Sequence, residues 1–362
     1  MNWRRWGRRA LIALAVILIL LSFLPLWQTD RWWVRQWDYP RLQVAGLLGM
    51  SLAALFLVKL KHSRAFWVIA AASSAALVWQ VIHFVAYLPI YPQRQVESAK
   101  HCPSGRQLSL LNANVLLTNS QYGRLLRMVE QRKPDVLLLL EVDKGWEEAL
   151  RPLADRYPYK LAEPVPNTYG MILMSRLPME GQIRHLLQAG VPSAHARLRL
   201  RDGQIVNFHG LHPEPPWPGD DSGERDAELV KVGREVRDDG RAAIVMGDLN
   251  DVAWSRTSRL FKKVAGMNDP RVGRGFYPTF NANYPLLRWP LDHLFVSPHF
   301  ELMQIDVLPD IGSDHFPILF RLCLRQDAGK RMVSSSAPPG VEQQASEEVV
   351  EGRIEKREEN GQ

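Results

Sequence analysis

The stretch Ile244-Val-Met-Gly-Asp-Leu-Asn-Asp251 decides how this chain is read. An apolar run meets Gly247, and then Asp248, Asn250 and Asp251 crowd together. Taken alone this is a strand running into a turn, since Gly, Asp and Asn are ordinary turn formers. The arrangement recurs, however. "LLNANVL" carries Asn112 and Asn114, "LLLLEV" ends on Glu141, and "HGLHPEPP" carries His212. "PLDHLFVS" begins at Asp292, and "GSDHFP" holds Asp314 and His315. Each of these also reads as a cap, a turn or a solvated loop. Their repetition is what a turn does not explain: apolar strands that all end in a carboxylate, an amide or an imidazole. Strand ends can converge on one rim of a rigid scaffold, and function concentrates in such places.

Around these motifs, short apolar runs alternate with turn signals from Gln107 to Arg325. "LSLLNANVLL", "DVLLLLEV", "GMILMSR", "RAAIVMGDLN" and "FPILFRLCLR" have strand character, while "QYGRLLRMVEQRKP" and "RDAELVKVGREVRDD" have helical spacing. Strands outnumber helices, which favours a layered α/β sandwich over a parallel doubly wound sheet. Residues 1–92 are different in kind. Apolar runs over about 10–27, 42–58 and 65–91 each approach the roughly 20 residues of a bilayer-spanning helix, and Trp27, Trp32, Trp33 and Trp37 suit a membrane interface. Three spanning helices are expected there, then a linker over 93–106. From Gln326 to Gln362 the chain is rich in Ser, Pro, Gln and Glu and is expected to be a disordered tail.

The net charge of +7 favours anionic partners without choosing among them. The basic residues Arg256, Arg259, Lys262, Lys263, Arg271, Arg274 and Arg288 could bind a polyanion or form a solvated face. Two cysteines, Cys102 and Cys323, exclude a cysteine-based zinc site and leave either one disulfide or two separate thiols.

The polar set suits phosphodiester hydrolysis. Glu141, joined by amide oxygen from Asn112, offers hard oxygen ligands suited to Mg2+ or Mn2+. Asp248 and Asn250, two apart at a strand end, are expected to share a face, one orienting water and the other donating to the phosphate. His315 is expected near the scissile bond.

In this order the motifs resemble the endonuclease/exonuclease/phosphatase superfamily, with its DNase-I-like fold. The resemblance implies a four-layered α/β/β/α sandwich over 107–325. It implies that Glu141 is the principal metal-binding residue, with Asn112 beside the metal and Asp314 on the metal side. Asp248 would align or activate the attacking water, and Asn250 would bind phosphate. His212 would contact the phosphate as a second imidazole, a role His209 fits less well. Asp292 would orient the imidazole of His315.

The substrate stays open between nucleic acid and a phospholipid, the latter as in a sphingomyelinase-like or phosphoinositide-like enzyme. The "HPEPPWPGDDSGER" loop with Trp217 is a candidate lip of the site. A catalytically dead scaffold on the same fold would be expected to lack Glu141, Asp248 or His315, and all three are present. A transporter or sensor would need polar residues inside its spans, where they are sparse. No protein partner is expected. Arg4, Arg5, Arg8 and Arg9 before the first span, and Lys59, Lys61 and Arg64 between the second and third, place those segments in the cytoplasm by the positive-inside rule. An odd number of spans then puts the catalytic domain on the periplasmic or extracellular face of an inner or plasma membrane.

Overall fold

A computed structural model describes residues 3–57, 64–188, 190–219, 221–328, 337–338 and 340–359. The chain opens with helices α1 (Trp3–Phe23), α2 (Trp32–Arg35), α3 (Arg41–Leu57) and α4 (Arg64–Phe84). Next come β1 (Gln107–Asn114), α5 (Tyr122–Arg132), β2 (Val136–Leu140), α6 (Lys144–Ala149), β3 (Tyr159–Glu163) and β4 (Met171–Ser175). They are followed by β5 (Met179–His185), β6 (Pro192–Arg199), β7 (Ile205–Leu211), α7 (Gly223–Asp239) and β8 (Ala243–Asp248). The series closes with α8 (Arg256–Ala265), β9 (Asp292–Val296), β10 (Phe300–Val307), β11 (Ile318–Leu324) and α9 (Val341–Glu359).

The strands form two sheets, ordered β10-β11-β1-β2-β4-β3 and β5-β6-β7-β8-β9. Because alternate strand residues face opposite sides, each strand divides its apolar residues between two layers. Leu108, Leu110, Leu138, Phe208, Ile244, Met246, Leu294 and Phe320 pack in the one cluster between the sheets. Their neighbours Leu111, Ala113, Leu137 and Leu139 face outward onto Leu125 and Met128 of α5 and Trp146 of α6. On the other side Leu211, Val245 and Phe295 meet Leu229 and Val236 of α7 and Phe261 of α8. The result is the expected α/β/β/α order of layers. Burying each large side chain of the middle layer contributes roughly 1.5–3 kcal/mol.

The N-terminal helices pack on one another through small apolar clusters, Leu18 with Leu48 and Ala76, and Ala15 with Leu55 and Phe66. Leu20, Met50, Val68 and Ile82 point outward and are exposed. Among the described residues, two segments are long and apolar enough to cross a membrane, Arg5–Leu26 and Arg64–Tyr87. The second expected span, 42–58, qualifies only together with Trp32–Asp38, from which it is bent by 71°. Arg41–Leu57 has 17 residues, at the short end of what a crossing needs, about 17–25. Val58 lies outside the described residues.

The tail departs from expectation. Helix α9 sets Val341 and Ala345 against Val230 of α7 and Leu260 and Val264 of α8. Glu342 pairs with Arg234 and Arg237, at 2.6 and 2.9 Å. Gly352 lies so close to Gly223 that a Cβ there would meet its carbonyl at 2.5 Å. Composition hid an apolar stripe spaced by four, Val341, Ala345 and Val349, which is a helix face. Residues 329–336 of the expected tail lie outside the described residues.

Cys102, before β1, and Cys323, in β11, form a disulfide across a Cα separation of 5.8 Å. Thiol labelling of the denatured, unreduced chain is therefore expected to find no free thiol, and two would refute the bond.

Candidate active site

The inner row of each central strand changes character at one end. In β1 the apolar row Leu108, Leu110 continues as Asn112 and Asn114; in β8, Ile244 and Met246 continue as Asp248. In β7 the row of Val206, Phe208 and Gly210 reaches His212 just past the strand, and β9 begins on Asp292. The middle layer thus runs out of hydrocarbon and becomes a buried polar array.

Asp248 and Asp292 face each other as register partners on β8 and β9. Both are almost fully buried, and two carboxylates so placed repel. His315 lies between them, its Nδ1 2.8 Å from Asp292 Oδ2 and its Nε2 3.4 Å from Asp248 Oδ2. Burial works to discharge this imidazole, but Asp292 and Asp248 outweigh it and raise its pKa to about 10. Asn112 Nδ2 donates to Asp292 Oδ1 at 2.7 Å. Asn114 Nδ2 donates to Glu141 Oε1 at 2.8 Å and to Asp248 Oδ2 at 3.3 Å. The Leu117 N–H also donates to Glu141, at 3.2 Å.

Backbone geometry aims these groups. Glu141 and Asn250 adopt left-handed conformations, with φ of 59° and 48°, which turn the chain sharply at each strand end. Gly247 has φ 149°, and a Cβ there would fall 1.9 Å from the Leu211 carbonyl oxygen. The Asn250 N–H donates to Asp248 Oδ1 at 2.9 Å, and its Nδ2 donates to the Pro213 carbonyl at 2.9 Å. His212 is buried, with Nε2 3.9 Å from Asp248 Oδ2 and no hydrogen-bond partner at Nδ1. Glu141, His212, Asp248, Asn250, Asp314 and His315 all line a cavity of about 560 Å³.

Two places accommodate a cation differently. Asp248, Asp292 and His315 bring ligand atoms within 4.8 Å of one another, yet each oxygen of those carboxylates already faces a donor. Glu141 is only half-buried and borders the cavity, and Asn112 Oδ1 is buried without a partner. Glu141 and Asp314, carboxylates that both line the cavity, fit a hard cation better than the imidazolium array does.

The model of the Endonuclease/Exonuclease/phosphatase family matches residues 110–315, more than half of the chain. The chain belongs to this family. Its members are hydrolases of phosphoester bonds. The catalytic domain of human Nocturnin, solved with a bound sulfate anion, is similar at 16% identity and TM-score 0.51, over 62% of this chain and 97% of that one. D. rerio TDP2 complexed with single strand DNA product is 18% identical with TM-score 0.49, over 60% and 98%. An endonuclease/exonuclease/phosphatase from Beutenbergia cavernae DSM 12333 is 18% identical with TM-score 0.49, over 60% and 72%. At 16% identity the likeness to Nocturnin is one of fold. No curated protein matches the chain.

Of the residues expected at the site, Asn112, Glu141, His212, Asp248, Asn250, Asp292, Asp314 and His315 gather at this one end of the sandwich. The amide touching Glu141 belongs to Asn114, however, because one two-residue step along β1 moves the contact from Asp292 to Glu141. Asp248 and Asn250 do not share a strand face: β8 ends at Asp248, and Asn250 has left the extended conformation. His209 faces the outer side of β7, 2.9 Å from His195. Sequence reasoning missed Tyr39, whose hydroxyl donates to the Asn250 carbonyl at 2.5 Å from a different part of the chain. Gly247→Ala is expected to lower stability by about 1–3 kcal/mol, since the strand end must move to admit a Cβ. An unchanged urea midpoint would show that it need not.

Proposed function

We propose that the chain is a membrane-anchored, divalent-cation-dependent phosphodiesterase, acting by direct attack of water on phosphorus. The observation that carries this is the buried Asp248–His315–Asp292 array at the edge of a cavity that Glu141 also lines. Mg2+ or Mn2+ held by Glu141 and Asp314, which both line the cavity, would neutralise charge on the phosphate. Asp248 accepts a proton from the attacking water or orients it. Asp292 holds the His315 ring, and His315, charged between two aspartates, donates to a phosphoryl oxygen. Asn250 keeps one amide proton beyond its bond to Pro213 and can give it to the same phosphate. His212 presents its second nitrogen toward Asp248 from the opposite wall.

The arrangement of the helices supports three crossings. The chain just after α1 meets the catalytic part, where the Ser222 N–H donates to the Asp30 carbonyl at 2.9 Å. The chain just after α4 meets it too, with Gly273 N–H donating to the Ala86 carbonyl at 2.8 Å. Helices α1 and α4 therefore both end at the same body and must run parallel. Only α3, starting at that body through Gln43 and Leu286, can bring the chain back. Arg5, Arg8 and Arg9 then lie at the far end, and the positive-inside rule puts that end in the cytoplasm. A disulfide in the catalytic part agrees with an oxidising compartment.

Glu141→Gln is expected to weaken Mg2+ or Mn2+ binding, seen by calorimetry, and excess EDTA is expected to abolish hydrolysis of an aryl phosphodiester. Asp248→Ala and His315→Ala are each expected to lower kcat by orders of magnitude with the fold intact. A loss below about tenfold, roughly 1.4 kcal/mol, removes the residue from the mechanism. For topology, alkaline phosphatase fused after Gln362 is expected to be active when exported with the chain. Activity only of a cytoplasmic reporter at that position would reverse the assignment.

A further inference from the structure

The cavity is not built by the catalytic sandwich alone. Gln36, Trp37, Tyr39 and Pro40, from the segment between α1 and α3, form part of its wall. That segment is fastened to the sandwich at several points. Arg35 pairs with Asp226 at 3.3 Å, Trp254 Nε1 donates to the Asp38 carbonyl at 2.7 Å, and Tyr39 donates to Asn250. The lining is also apolar at Trp217, Phe280, Leu287 and Trp289, and Trp289 packs edge-on against Tyr39 at 6.0 Å between ring centres. Trp217 is 61% exposed and Leu286, beside the rim, is 85% exposed. The Leu286 carbonyl accepts from Gln43 in the first turn of α3, so the apolar rim adjoins the apolar helices.

The charge of the cavity is as telling as its shape. Among the described residues lining it there is no Lys or Arg. Of the seven basic residues that follow the Asp/Asn motif, Lys263 is exposed but does not line this cavity, and the other six are occupied elsewhere. Arg256 pairs with Glu348, Arg259 donates to the Trp254 carbonyl, and half-buried Lys262 donates to the Tyr87 hydroxyl. Arg271 is fully buried on Asp269, Arg274 donates to Pro270 and Val96, and Arg288 donates to Asn281 and Ala282. Binding a nucleic-acid backbone rests on Lys and Arg meeting successive phosphates, and this cavity offers a place for one phosphate within aromatic and aliphatic walls. Aromatic residues beside apolar helices suit the interface of a bilayer.

We propose that the segment 36–40 is a substrate-binding wall and that the substrate is a membrane phospholipid. Its phosphodiester reaches the Glu141–Asp248 end, and its glycerol and acyl portion lies against Trp37, Trp217 and Leu287. This rests on the phosphodiesterase reading above. Water adds to phosphorus, the bond from phosphorus to the leaving alcohol oxygen breaks, and that oxygen takes up a proton. A diester and water thus give a monoester and an alcohol.

The test uses the full chain in detergent with Mg2+ or Mn2+. Three substrates are compared by kcat/KM: vesicles of phosphatidylcholine, phosphatidylethanolamine and phosphatidylglycerol, a short single-stranded oligonucleotide, and methyl p-nitrophenyl phosphate. The lipid is expected to exceed the oligonucleotide. Trp37→Ala and Trp217→Ala are each expected to lower the ratio of lipid to methyl p-nitrophenyl phosphate turnover at least about tenfold, or about 1.4 kcal/mol, with Trp→Phe restoring it. An unchanged ratio, or preference for the oligonucleotide, overturns the lipid assignment and leaves the phosphodiesterase reading standing. So does hydrolysis of the small diester without the lipid. Hydrolysis of none of the three overturns both.

Discussion

Two buried carboxylates face each other across β8 and β9, and the imidazole of His315 stands between them. Without that ring, Asp248 and Asp292 would repel in a medium too poorly solvated to screen them. With it, one ring faces both carboxylates, and the amides of Asn112 and Asn114 donate to them as well. Every element that approaches this point answers to the same requirement. β1 supplies the amides, the turn after β8 supplies the Asn250 N–H, and Ser313 donates to the Asn114 carbonyl at 2.8 Å while accepting from the His315 N–H. The polar end of the sandwich is therefore one network rather than a set of separate contacts, and removing one member leaves its partners buried and unpaired.

Much of this was legible because strands carry a period of two. Once Leu108 and Leu110 belong to the inner layer, Asn112 and Asn114 must face the same way, and the argument repeats in β8. The layered sandwich followed from strands that alternate apolar faces under helices of amphipathic spacing. What the period could not supply is what happens after a strand ends. Asn250 is two residues beyond Asp248 but lies in a left-handed turn, so parity no longer applies. The choice between Asn112 and Asn114 as the neighbour of Glu141 depends on the stagger of β1 against β2, where Asn114 pairs with Leu140. Register of that kind is a tertiary quantity. Composition likewise concealed α9, whose polar average masks a stripe that has meaning only beside α7 and α8.

The basic residues illustrate a different limit. A formal charge of +7 describes the chain as a sum, and the sum says nothing about which cations are already paired. Arg271 is fully buried in a bond network with Asp269 and His293, and Arg35 is sealed between α2 and Asp226. Such pairs hold the fold together locally while withdrawing charge from the surface that a polyanion would meet.

The segment between the first helices changes what counts as the catalytic unit. Residues 107–325 contain the whole polar array, yet one wall of the cavity is Trp37, Tyr39 and Pro40, and Tyr87 donates to the Ala253 carbonyl at 2.7 Å just beyond the Asp248 turn. Trp254, fully buried, packs with Ala45, Phe84 and Val272 in a cluster that belongs to neither half alone. A simple tether would leave the domain's surface polar beneath it and would cross by a flexible linker. Here the apolar helices share a core with the loop that follows Asp248. Any tilt of those helices moves the wall of the cavity relative to Asn250, so the packing of the apolar helices and the shape of the site are set by the same contacts.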